Sequence, residues 1–361
     1  MFLINFLKNF KIFQNQIELF ADIINLFSRL YLQKIILMDE MEFYSQFPID
    51  LPPSTTFLHN FPMEKILSLS LFLNNFVFQS FFLEQQKSFQ KCKHSTIKLL
   101  KELYNRHSLR KFTKEVSFWQ IPQASLLQAS YPQILKEIPF VLPFEARIVQ
   151  LNKFLLEDKA TAKRDDNYDD VFEIVTIRRG YEIEDGFAEF PHLTNLRNMI
   201  RIKYMNEHGL EEIGIDGGGL LKEYLCSVCK KAFDPNYGLF IETDERTLRP
   251  NPHAEQFHGE NSKDLLVFLG KIVGKALYEN ILIEPVFSRS FLNSLLGRKN
   301  VFNDMGSLDK ALYKSLLFLK HAEDEEMIKQ MGLTFSLVEN CMGKQDLIEL
   351  KENGANIDVN K

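Results

Sequence analysis

Cysteine is scarce in this 361-residue chain: Cys92, Cys226, Cys229 and Cys341 are all it holds. So few thiols at this length exclude a disulfide-stapled framework and fit a reducing compartment. An excess of positive charge is also missing. Lysine and arginine total 43 against 48 aspartates and glutamates, a net charge of −5. That balance argues against a nucleic-acid partner, which needs a basic patch. The densest basic group, Lys91, Lys93, Lys98 and Lys101, has the spacing of a solvated helix face.

Long apolar runs are few. The opening MFLINFLKNFKIF carries Lys8 and Lys11 inside its apolar stretch, where a signal peptide would place its charge in front. The run at 66–83, ILSLSLFLNNFVFQSFFL, has about the minimum length for a bilayer span. Asn74, Asn75 and Gln79 interrupt it, so a buried helix is expected and no membrane partner.

Motifs for familiar chemistry are absent as well. Gly217, Gly218 and Gly219 follow Asp216 and open a helical pattern. The lysine and hydroxyl that end a phosphate loop are not in place, so these four residues are expected to form a structural turn. Cys226 and Cys229 have metal-ligand spacing, but no second ligand pair stands near them. They are expected to pack on a helix beside Leu225, Val228 and Phe233. His253 and His258 in NPHAEQFHGEN lack the spacing of a zinc-protease helix and are expected on a surface loop. No Gly-x-Ser-x-Gly elbow occurs. The residues by themselves name no catalytic group, metal or cofactor.

What is plentiful is phenylalanine, 33 residues concentrated in the first ninety. Ile17, Phe20, Ile24, Phe27 and Tyr31 follow the three-and-four rhythm of a helix face. Pro48, Pro52, Pro53 and Pro62 break the region into two helical groups. Residues 138–159 read as two prolines followed by a helix, and 159–170, KATAKRDDNYDD, as a loop or linker. Beyond it, 173–179 and 199–206 alternate as strands do, with a helix start at EDGF between them. LLVFLGKIVGKALYENILI, 265–283, reads as one long helix whose Gly270 and Gly274 share a face open to close approach.

From about Leu142 onward the chain resembles the HECT-type ubiquitin ligases. RIKYMNEHGLEEIGIDGGGLLKEYL at 201–225, FDPNYGLF at 233–240 and RPNP at 249–252 are similar to successive family blocks. The long block at 267–297, SLDKALYKSLLFLK at 307–320, MGLTFSLVEN at 331–340 and LIELKENGANIDVNK at 347–361 continue the order. EIPFVLPFEARI and IRRGYEIEDGF resemble the proteasome-associated subgroup.

The resemblance implies an α+β fold: a mostly helical region at 1–140, a junction helix and linker at 141–170, and a HECT N-lobe of helices with short strands at 171–361. The family's C-lobe, with the cysteine that takes ubiquitin as a thioester, is expected to be missing, since no threonine–cysteine block occurs. Implied partners are a ubiquitin-conjugating enzyme, ubiquitin, protein substrates and, by subgroup, the proteasome; the implied setting is cytoplasm or nucleus. The implied conjugating-enzyme dock lies after the long helix, with Leu295, Leu296, Tyr313, Leu317 and Phe335 as candidate anchors. The alternative is a non-catalytic module that holds a conjugating enzyme or competes for it.

Overall fold

The computed structural model describes residues 17–44, 62–81, 87–121, 131–165, 172–212, 219–322, 324–341 and 343–359. The chain divides into two compact units, Met1–Leu156 and Glu157–Lys361. Helices with a few short strands make the fold α+β.

The first unit is helical. Its elements are α1 (Ile17–Leu37), α2 (Glu40–Tyr44), α3 (Met63–Ser80), α4 (Lys87–Leu109) and α5 (Tyr131–Glu137), and α6 (Phe144–Asp165) begins within it. The inner face of α1 is Ala21, Ile24, Ser28, Tyr31 and Ile35, all buried. Phe27 is half-buried, and the side chains of Ile17 and Phe20 lie outside the described residues. In α3, Ile66, Leu69, Leu73, Phe76 and Val77 are buried at helical spacing, so the apolar run packs inside the unit. Asn74, one of its interruptions, donates to the Trp119 carbonyl at 2.8 Å. Among the described residues, no helix is long and apolar enough to cross a membrane. Pro62 precedes the first turn of α3, while Pro48, Pro52 and Pro53 lie outside the described residues. Of the basic group on α4, Lys91 and Lys98 are exposed. Lys93 reaches over the Phe81 ring, and Lys101 pairs with Glu137 at 2.5 Å.

A buried cation ties this unit together. The Arg106 guanidinium on α4 donates to the carbonyls of Ile35 and Met38 at 2.6 and 2.8 Å. It therefore adds donors at the end of α1, where the Ile35 carbonyl also accepts from the Met38 amide at 3.2 Å. Glu102, one turn back, holds its Nε at 3.0 Å.

The second unit is built on β1 (Phe172–Arg178) and β2 (Met199–Met205), a parallel pair joined through α7 (Glu182–Glu189). Alternation decides which side faces in: Val175 and Ile177 on β1, and Ile200, Ile202 and Tyr204 on β2, are buried. Two helices cover that side, α8 (Gly219–Ala232) and, after the antiparallel pair β3 (Phe240–Glu242) and β4 (Leu248–Pro250) and the one-turn α9 (Ala254–His258), α10 (Ser262–Tyr278). Tyr224 and Val228 from α8, and Phe268, Leu269 and Ile272 from α10, meet in the core. Phe190 stacks on Tyr224 at 5.9 Å and meets Phe268 edge-on at 5.4 Å. Gly186 on α7 lets this packing close, because the Tyr224 hydroxyl occupies the place a Cβ would take.

Four sequence expectations need correction. Residues 159–165 are not linker; they continue α6. Lys159 there pairs with Glu279 at 2.9 Å, and Asp158 with Arg197 at 3.0 Å. Ala160, Ala162 and the flanking lysines favour helix without supplying an apolar stripe. The helix expected at 265–283 runs instead from Ser262 to Tyr278. Asn280 stops it by taking φ +56°, a left-handed conformation asparagine tolerates. Gly270 and Gly274 are exposed with open space beside each Cα, so no element approaches them among the described residues. Finally, the residues after His253 form α9 rather than loop, with His253 at its start and His258 Nε2 lying 2.7 Å from the Tyr237 carbonyl.

Candidate docking surface

The segment after α10 is tied into the core before it reaches the surface. The Leu248 amide on β4 donates to Val286 at 2.7 Å, and the Ser288 amide donates back to Leu248 at 2.8 Å. Phe287 then sits within ring contact of Phe233 at 5.3 Å and Phe291 at 5.4 Å. Ser288 caps α11 (Arg289–Leu295), its side chain accepting from the Phe291 amide at 3.3 Å. Phe291 faces inward against Phe240 at 6.1 Å. Toward the end of the helix, Leu292, Leu295 and Leu296 are 43%, 65% and 66% exposed. Their spacing of three and four residues makes one apolar stripe.

The end of α11 is fixed by its backbone. Gly297 takes φ +66°, its amide donates to Ser294 at 3.0 Å, and the Arg298 amide donates to Asn293 at 2.8 Å. This pair of bonds satisfies two terminal carbonyls and requires the left-handed residue that glycine supplies. Asn300 returns to donate to the Ser290 carbonyl at 3.0 Å. A 3-10 turn at Phe302–Ser307 leads into α12 (Lys310–His321), which Asp309 caps by accepting from the Leu312 amide at 2.8 Å.

The five candidate anchors fall in different surroundings. Leu295 and Leu296 are the most open. Tyr313 on α12 is buried: its ring lies 5.2 Å from that of Phe302, and its hydroxyl donates to Asn303 Oδ1 at 3.0 Å. It holds the 3-10 turn against α12 from inside. Leu317 is half-buried on the same helix, and its neighbour Phe318 is 52% exposed. Phe335 lies farther along, after α13 (Glu325–Gln330) and just before the antiparallel hairpin of β5 (Ser336–Cys341) and β6 (Lys344–Glu349). It is half-buried, exchanges backbone hydrogen bonds with Ile357 and Leu350, and carries Lys351 Nζ 4.0 Å above its ring. Leu292 and Phe318 were not among the sequence candidates. The Leu292–Leu295–Leu296 spacing carried the signal, but spacing alone does not tell that these leucines are open while Phe291 packs inward.

Cys92 and Cys229 are buried, and burial pushes their thiols up to about 11 and about 12. Both are therefore protonated at neutral pH and poor nucleophiles. Cys226 is half-buried, its Sγ 3.9 Å from the Leu282 carbonyl. Cys341 is in β5. Gly219 begins α8, while Asp216, Gly217 and Gly218 lie outside the described residues.

Residues 226–361 match the family model of the HECT domain (ubiquitin-transferase). The chain is 41% identical over 227 residues to a probable E3 ubiquitin protein ligase of Schizosaccharomyces pombe, covering 63% of this chain and 22% of that protein. It is 32% identical over 327 residues to ubiquitin-protein ligase E3B of Homo sapiens, covering 83% of this chain and 30% of that one. Against the E3 ubiquitin-protein ligase HUL5 of Saccharomyces cerevisiae it is 34% identical over 247 residues, 63% of this chain and 26% of the relative. Residues 226–361 thus belong to the HECT domain family of ubiquitin ligases, and the similarity to these ligases extends over 63–83% of the chain. The chain spans less than a third of the length of each of these relatives.

Proposed function

We propose that this chain serves ubiquitin transfer by docking a ubiquitin-conjugating enzyme on the surface made by α11, the turn after it and α12. One observation carries the reading: Leu292, Leu295 and Leu296 stand exposed on a helix that the Ser288 cap and Phe291 anchor to the core. An apolar stripe on a rigid support is what a helix or loop from a partner needs as an anchor. Burying two leucines that are two-thirds open contributes on the order of 2–4 kcal/mol before association entropy, at roughly 25 cal/mol per Å². Tyr313 supports the dock from inside, and Leu317 and Phe318 extend it along α12. Phe335 belongs to a second patch beside the C-terminal hairpin.

The test is the affinity of the folded chain for a ubiquitin-conjugating enzyme with Leu295 and Leu296 both changed to serine. A loss of at least tenfold is expected. Undiminished affinity in the folded double variant removes α11 from the dock.

A second reading, a module that holds or competes for a conjugating enzyme without carrying ubiquitin itself, is favoured by the buried, protonated thiols of Cys92 and Cys229. Mixing the chain with charged conjugating enzyme distinguishes the two. A reducible ubiquitin adduct on any of its four cysteines refutes the module reading.

A further inference from the structure

Charge narrows the kind of conjugating enzyme that fits. The chain as a whole is acidic at −5, but the segment 289–321 runs the other way. Its cations are Arg289, Arg298, Lys299, Lys310, Lys314 and Lys320, and its carboxylates are Asp304 and Asp309 alone. Both carboxylates serve the fold. Asp304 is buried, accepts from the Val301 amide at 2.9 Å and lies 3.4 Å from Arg289 Nε. Asp309 is the cap of α12.

Of the cations, Arg289 pairs with Asp304, and Lys310 meets Glu245 at 3.5 Å while its amide donates to Asp244 at 3.1 Å; the positive edge is made by others. Arg298 and Lys299 are exposed, and the hydrogen-bonded turn at Gly297 fixes them directly after Leu295 and Leu296. Lys314 is exposed on α12, one turn beyond Lys310. The open leucines therefore have a positive edge. A partner carrying lysines or arginines there would meet like charges, while carboxylates would be drawn in and oriented. Exposed charges of this kind act within a screening length of about 8–10 Å at physiological salt, so the edge works only on groups seated beside the leucines.

We infer that this surface selects conjugating enzymes whose docking loop sets carboxylates around an apolar anchor. The inference rests on the docking proposal above. A bland role competes with it: cations after α11 also complement the negative end of a helix. That role affects folding, not partner choice.

The experiment uses the full chain and two probes, one ubiquitin-conjugating enzyme with an acidic docking loop and the same enzyme with those carboxylates changed to lysine. The unmodified chain should bind the acidic-loop probe about tenfold or more tightly than the other at low salt, and the gap should narrow as salt rises. Arg298→Glu with Lys299→Glu should erase or reverse the preference with an unchanged melting temperature, and Lys314→Glu should shift it the same way. Equal binding of the two probes, or a preference for the lysine loop, while Leu295→Ser with Leu296→Ser still weakens both, overturns the charge inference and leaves the dock standing. If the serine variant alters neither affinity, the docking proposal falls and this inference falls with it.

Discussion

Removing the carboxylate of Glu279 should harm the second unit more than removing the ammonium of Lys275 with which it pairs. Lys275 is fully buried on α10, its Nζ donating to the Asn198 carbonyl at 2.8 Å and to Glu279 at 2.7 Å. Glu279 is about a quarter exposed and has a second cation, Lys159 at 2.9 Å. Burial pulls the Lys275 ammonium below the usual lysine range, with Glu279 opposing it. Glu279→Gln therefore strands a buried charge, which costs about 3–5 kcal/mol. Lys275→Met removes that charge, leaves Glu279 with Lys159 and water, and deprives one carbonyl of its donor. A buried acceptor left unsatisfied costs about 1–3 kcal/mol, partly offset by the methionine's apolar burial. Urea denaturation of the two variants measures the difference. Equal losses, or a larger loss for Lys275→Met, would refute the reasoning. So would losses under about 0.5 kcal/mol in both, the range of ordinary surface substitutions.

Four further outcomes are expected. Gly186→Ala should destabilise by about 1–3 kcal/mol through overpacking against the Tyr224 hydroxyl, and adding Tyr224→Phe should recover part of it, because that hydroxyl makes no hydrogen bond; thermal melts of the single and double variants decide. Arg106→Leu should cost the first unit about 2–4 kcal/mol by removing the buried guanidinium's bonds to the Ile35 and Met38 carbonyls and to Glu102, read by chemical denaturation. Acid should weaken the second unit: the Arg178 guanidinium holds the Asp185 carboxyl below its ordinary range, and Lys275 and Lys159 hold Glu279 low against the opposing effect of burial. Folded values below unfolded ones mean stability that is present above pH of about 4 and is lost as pH falls through the folded values; a melting temperature that does not fall between pH 5 and 3 contradicts this. Phe335→Ala, on the second patch, should leave conjugating-enzyme affinity within about twofold, and a loss of about 1–3 kcal/mol in calorimetric titration would bring that patch into the dock.

The parts of the fold that followed simple periodicities were legible. Val175 and Ile177, and Ile200, Ile202 and Tyr204, alternate because one side of each strand is buried. The α3 pattern read as a buried helix because its polar interruptions could be absorbed, as Asn74 shows through its bond to Trp119. Element ends were harder. The continuation of α6 to Asp165 rests on helix propensity and on charged contacts to Arg197 and Glu279, remote in sequence. The stop at Tyr278 depends on an asparagine taking a left-handed conformation where the pattern asked for more helix.

The candidate site was partly legible for a related reason. Apolar residue type marks Leu295, Tyr313 and Phe335 alike. Which is open and which is buried depends on partners no local pattern reveals. Tyr313 turns inward because Asn303 accepts from its hydroxyl. Leu295, four residues on from Phe291, is 65% exposed while Phe291 packs against Phe240.

Hydrogen exchange of the chain with and without a bound ubiquitin-conjugating enzyme tests the docking proposal most directly. Slowed exchange confined to residues 292–299 and 310–318 is the expected result. Protection confined to the hairpin at 336–349 or to the helical unit, with 292–299 exchanging as in the free chain, would contradict it.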